Sequence, residues 1–97
     1  MAPFADRFYA DAAVEPAGYR QITDLSTAKG VQIGVGRVAL IQVLNQNVRY
    51  RDDGVDPDAS TGVRIHAGES IWYTGDLRSI RFIEEAVGAE VNLLAYK

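Results

Sequence analysis

The stretch Val38-Ala39-Leu40-Ile41-Gln42-Val43-Leu44-Asn45-Gln46-Asn47-Val48-Arg49-Tyr50-Arg51 decides the fold class. Its first seven residues are apolar except for Gln42, and they predict a strand covered on both faces. Asn45-Gln46-Asn47 ends that run, because Asn side chains bond to nearby backbone and favour turns. Val48 to Arg51 then alternates, with Val48 and Tyr50 inward and Arg49 and Arg51 outward.

Towards the C-terminus the same reading continues. Asp52 to Thr61 is a polar loop, and Val63 to His66 alternates again, with Val63 and Ile65 inward. Ala67-Gly68-Glu69 is a turn. Ile71 to Thr74 is an aromatic-rich strand closed by Gly75-Asp76. Ile80 to Glu84 places Ile80 and Phe82 opposite Arg81 and Ile83. Val87-Gly88-Ala89 turns the chain into Val91 to Tyr96, where Val91, Leu93 and Ala95 oppose Asn92, Leu94 and Tyr96.

Towards the N-terminus the signal weakens. Tyr19 to Thr23 reads as a short strand, Asp24 to Lys29 as a turn closed by Gly30, and Val31 to Val35 as a second short strand. Residues 1–18 read as an irregular arm: Pro3, Pro16 and Gly18 exclude a long helix, although Asp6 to Val14 would allow a short one. Phe4, Phe8 and Tyr9 suit an extended segment laid on a neighbouring subunit. Short strands at roughly 8–12-residue spacing, separated by Gly, Asn and Asp turns, indicate an all-β domain. The expected architecture is an antiparallel β-sandwich over residues 19–97, jelly-roll-like if eight strands form.

Composition narrows the function. The chain has 97 residues, enough for one core and not for two. Its formal net charge is −3 and its arginines never form a run, so the concentrated positive field that nucleic acid requires is not expected. There is no cysteine, which excludes disulfides and thiolate metal sites. The first residues lack a basic segment leading into an apolar one, so no signal peptide is expected. No apolar run approaches the roughly 20 residues needed to cross a bilayer, and no membrane partner is expected.

Four motifs invite a chemical reading. Gly34-Val35-Gly36-Arg37-Val38-Ala39 matches G-x-G-x-x-A, with Asp52 and Asp53 downstream. That motif needs a helix after the glycines, and here a β-branched apolar run follows, so a turn between strands is expected and no cofactor. The acidic loop Asp52-Asp53-Gly54-Val55-Asp56-Pro57-Asp58 does not have the ligand spacing of an EF-hand, and it reads as a solvated loop rather than a metal site. His66, the sole histidine, cannot form a zinc site with no cysteine or second histidine. Ser60 and Ser70 stand near it in sequence but in no recognisable nucleophile turn, and no carboxylate pair stands out, so no catalytic residue is assigned. Trp72 and Tyr73 must point to opposite faces of their strand. Either Trp72 or the Ile71/Tyr73 pair is therefore the exposed set, and an exposed aromatic would serve as an interface anchor.

From Ala39 to Lys97 the order of features resembles a group of small virion proteins of tailed bacteriophages and prophages. The most specific part is Val48-Arg49-Tyr50-Arg51-Asp52-Asp53-Gly54, followed by Pro57-Asp58-Ala59-Ser60-Thr61-Gly62. Tyr19 to Gly30 fits more loosely and the first 18 residues do not fit. The resemblance implies a β-sandwich that coats or cements the outer surface of a capsid, usually as a homotrimer bound to the major capsid protein, with no catalytic residue to carry over. On that reading the arm with Phe4, Phe8 and Tyr9 grips the lattice, Arg49 and Arg51 pair with acidic capsid surfaces, and Trp72 anchors a contact. The alternative is a tail- or fibre-associated carbohydrate- or receptor-binding module, with Trp72 and Tyr73 stacking on sugars and the Asp52 to Asp58 loop adding polar contacts.

Overall fold

In the computed structural model, residues 15–97 are described, and among them eight strands form two antiparallel four-stranded sheets. The strands are β1 (Pro16–Ile22), β2 (Lys29–Gly30), β3 (Val38–Leu44), β4 (Val48–Arg51), β5 (Val63–Ile65), β6 (Ser70–Thr74), β7 (Arg81–Glu84) and β8 (Glu90–Tyr96). The first sheet has the order β1-β8-β3-β6 and the second β2-β7-β4-β5.

The pairing is nested: β1 with β8, β2 with β7, β3 with β6 and β4 with β5. The chain is in effect one long hairpin whose two arms run side by side and wind between two layers. Two further ladders, β3 with β8 and β4 with β7, stitch the winding together. This is the jelly-roll arrangement, and it meets the expectation of an eight-stranded sandwich.

The alternation read from the sequence fills the interior, except at Val63 of β5, expected inward and in fact 57% exposed. Ala39, Ile41 and Val43 of β3 face Val91, Leu93 and Ala95 of β8 across the ladder, and all six are at most 0% exposed. From the second sheet Val48, Ile65 and Phe82 close against them, with Tyr50 half-buried beside Phe82. Leu25, Leu77 and Ile80, all in connections, plug the ends of the sandwich. Burying a large aliphatic or aromatic side chain this completely contributes on the order of 1.5–3 kcal/mol, so these residues dominate the stability of the described domain.

Three expectations are corrected. Val31 to Val35 is not a strand: the pairing shifts upstream to Lys29–Gly30, opposite Phe82 and Arg81. Val31 and Ile33 are nevertheless buried, because an irregular segment carries them over the core while Gln32, at φ 61°, turns the backbone between them. The Arg20 guanidinium holds that turn by donating to the Gln32 carbonyl at 3.0 Å. Secondly, β3 is fully covered on its inward face only; outward, Val38 is buried, Leu40 and Leu44 are half-buried and Gln42 is exposed. Thirdly, β1 begins at Pro16 rather than Tyr19, with a bulge between Pro16 and Gly18.

The glycine motif also finds its physical role. Gly34 to Arg37 leads into β3, not into a helix. A Cβ on Gly36 would lie 2.7 Å from the Leu77 side chain, and its φ of 136° suits glycine. The residue is there to let Leu77 cap the core.

Candidate interaction surface

The ladders of the first sheet bring four outward side chains into one line across all four strands. Tyr19 pairs with Leu94, Leu94 with Leu40, and Leu40 with Trp72. All four are apolar or aromatic, and the row is about 14 Å wide, three strand spacings. Tyr19 is 53% exposed, Trp72 48% and Leu94 37%. Tyr96, half-buried, extends the patch by one row over the buried Val38, its ring lying 6.2 Å from that of Trp72 at 40°.

On its other side the row has a fixed polar border of Gln21, Asn92, Gln42 and Ser70. The Tyr19 hydroxyl donates to Asn92 Oδ1 at 2.9 Å, and Asn92 Nδ2 donates to Gln42 Oε1 at 3.2 Å. An apolar centre with a hydrogen-bonded polar rim is the anatomy of a protein contact site.

Trp72 is therefore the exposed member of its strand, and Ile71 and Tyr73 face inward. Tyr73 is 6% exposed, and its hydroxyl donates to Asp52 Oδ2 at 2.6 Å, tying the first sheet to the loop after β4. Burial raises the Tyr73 pKa, and the Asp52 hydrogen bond and charge raise it further. Gly75 makes the reach possible, since a Cβ there would stand 2.4 Å from the Tyr73 hydroxyl.

The outward face of the second sheet is of another kind. Arg49 stands opposite Arg64, and Arg51 opposite Arg81. Like charges facing each other across strands are destabilising unless something intervenes. Glu85 intervenes in the first pair, its Oε2 accepting from both Arg49 Nε and Arg64 Nε at 2.7 Å. These bonds, Arg64's foremost, hold the Glu85 carboxyl below the usual glutamate range. Arg51 forks onto both oxygens of Asp53, at 3.0 and 2.6 Å, which lowers the Asp53 pKa. Arg49 and Arg51, expected to reach a partner, are both engaged within the chain.

The remaining sequence candidates are placed as follows. Phe4, Phe8 and Tyr9 lie outside the described residues. His66 follows β5, exposed, with Nδ1 3.2 Å from Glu69 Oε1. In the acidic loop Asp52 serves Tyr73, Asp53 serves Arg51, and Asp58 accepts from the Ser60 amide and hydroxyl at 2.9 and 3.0 Å. Among the described residues no group of three or more His, Cys, Asp or Glu is arranged to hold a metal ion, and no helix is long and apolar enough to cross a membrane.

Sequence reading leaves open whether Trp72 or the Ile71/Tyr73 pair is exposed, and the structure exposes Trp72. It misses the row: Leu94 and Tyr96 read as one face of β8, but their alignment with Leu40 and Tyr19 depends on register, which pattern alone does not supply. Comparison with protein-family models, with curated proteins and with solved structures returned no match.

Proposed function

We propose that this chain is a non-enzymatic structural protein of a phage virion, which decorates and stabilises the capsid through protein–protein contacts and works as a homo-oligomer, with a trimer favoured. The observation that supports a contact role is the apolar row Tyr19–Leu94–Leu40–Trp72, displayed on a jelly roll whose own interior is already closed. Isolated exposed apolar residues are ordinary, but a contiguous patch with a polar rim marks an interaction surface. The virion setting rests on the sequence resemblance from Ala39 to Lys97.

The row supplies what association with another chain needs: rigid backbone beneath and large side chains outward. Trp72 is the anchor. The deciding measurement is copy number per particle by quantitative mass spectrometry, joined to capsid melting with and without the protein. Hundreds of copies and a lowered melting temperature on removal are expected. A handful of copies confined to tails would overturn the assignment.

One observation favours a second reading, a carbohydrate-binding module of a tail or fibre. Trp72 and Tyr96 form an aromatic platform bordered by the amides of Gln42 and Asn92, groups suited to a sugar. The Asp52 to Asp58 loop does not frame that platform, since Asp52 meets β6 through the inward Tyr73. Glycan-array binding that is lost in Trp72→Ala would establish this reading in place of the first.

A further inference from the structure

We propose that the apolar row of the first sheet receives the N-terminal segment, residues 1–14, of a second copy of this chain, an inference that rests on the homo-oligomeric reading above. Three observations select this occupant over a folded surface. The first is area. The exposed parts of Tyr19, Leu94 and Trp72 amount to roughly 200–300 Å² of accessible surface, whereas a stable contact between folded partners buries about 800 Å² on each side. An extended segment matches the footprint and a second globular face does not.

The second is composition. Phe4, Phe8 and Tyr9 place three aromatic residues in a stretch of six, and the described core is already filled by Phe82, Tyr73 and its aliphatic residues. Residues four apart in an extended chain share a face about 13 Å apart. Phe4 and Phe8 thus have the spacing of the two ends of the row, from Tyr19 to Trp72.

The third is direction. The Glu15 amide donates to the Lys97 carbonyl at 3.1 Å, and the Lys97 amide donates back at 2.9 Å. The β1–β8 ladder therefore continues past Pro16, and at Glu15 the backbone runs out of the end of the sheet, away from the row at Tyr19. Phe8 stands seven positions before Glu15, a reach of at most about 25 Å, enough to meet a neighbouring copy.

Trp72 is the only tryptophan, so its fluorescence reads the row directly. In the full chain, emission should shift to the red and acrylamide quenching should rise severalfold as the protein is diluted and the oligomer dissociates. Phe8→Ala/Tyr9→Ala should show the exposed signal at every concentration. Adding an excess of full-length Trp72→Phe, a silent donor of an intact segment, should restore protection to the Trp72 of the Phe8→Ala/Tyr9→Ala copies.

Absence of that restoration would overturn the inference. So would wild-type protection that is unchanged by dilution, which would mean the segment lies on its own sheet. Sedimentation velocity separates the two levels. An oligomer that persists in Phe8→Ala/Tyr9→Ala with unaltered Trp72 emission overturns the docking and leaves the homo-oligomer standing. A wild-type monomer at high concentration overturns both.

Discussion

The two outward faces of this sandwich are built on similar frames and finished differently. On the second sheet every outward arginine meets an acceptor of its own chain: Arg49 and Arg64 share Glu85, Arg51 takes Asp53, and Arg81 reaches the Ala28 carbonyl at 3.1 Å. On the first sheet the central outward row is Tyr19, Leu94, Leu40 and Trp72, and it remains substantially open to water. A face whose charges are satisfied internally gains little from a partner, because a new contact must first break or desolvate what is there. A face of exposed apolar side chains gains from any complementary cover, at about 25 cal/mol per Å² removed from water. The contrast separates a face whose side chains are engaged within the fold from one whose apolar row stays open to water.

That division is most exposed to test at Trp72. Trp72→Ala should weaken association by about 2 kcal/mol or more, the usual scale of an aromatic anchor, while leaving the thermal unfolding of the dissociated chain nearly unchanged. Arg49→Gln should do the reverse, lowering the melting temperature and sparing association. Sedimentation equilibrium and a thermal melt on both variants measure the pair. If the two substitutions moved the same quantity, the distinction between the faces would be lost.

How much of this was legible in the sequence follows from what each element depends on. Strands β3 to β8 could be read because period-two alternation and the Gly and Asn turns are local signals. Strand β2 could not: its pairing is only Lys29–Gly30 against Phe82 and Arg81, while the apolar Val31 and Ile33 nearby are buried by an irregular segment. Apolar content there belongs to an irregular segment over the core, not to a strand. For β3, a run apolar on both sides predicts two covered faces, yet outward only Val38 is buried, while Leu40 is half-buried and Gln42 exposed. The pattern reported hydrophobicity correctly and could not say what would cover it. The row itself is a matter of register between strands as distant in sequence as Tyr19 and Leu94, and no local signal carries that.

A second test asks how firmly the two sheets are held to each other beneath the contrasting faces. Tyr73→Phe keeps the ring packed against Tyr50, edge-on at 6.2 Å, and deletes only the hydroxyl that Asp52 accepts from. The expected loss is about 1–2 kcal/mol. Gly75→Ala should cost a similar amount by driving the hydroxyl from its place. The folded pKa of Tyr73 is raised, so its protonated form is the one the fold favours. Its contribution is complete below the ordinary tyrosine range and is lost as the pH rises above it. Wild type should therefore lose stability at alkaline pH more steeply than Tyr73→Phe in chemical denaturation, and equal slopes would show that the tie is not coupled to the fold.

The smallest effects belong to the charged face, and they sharpen the comparison through their pH dependence. Glu85 and Asp53 have lowered pKa values in the folded chain, by hydrogen bonds from Arg64 and Arg49 and from Arg51. For a carboxyl lowered on folding, the stabilisation is present above its unfolded pKa and disappears as the pH falls through the folded one. The window thus lies at and below the ordinary carboxylate range. Glu85→Gln should lower the melting temperature at neutral pH, because it leaves Arg49 facing Arg64, and should flatten its fall in acid. Asp53, itself much more exposed than Glu85, partners a single arginine, which Asp53→Asn would release. Exposed pairs of that kind contribute little, so its melt should be hardly separable from wild type. A ranking with Asp53 above Glu85 would mean that the bridge between two facing arginines is not what finishes the second sheet.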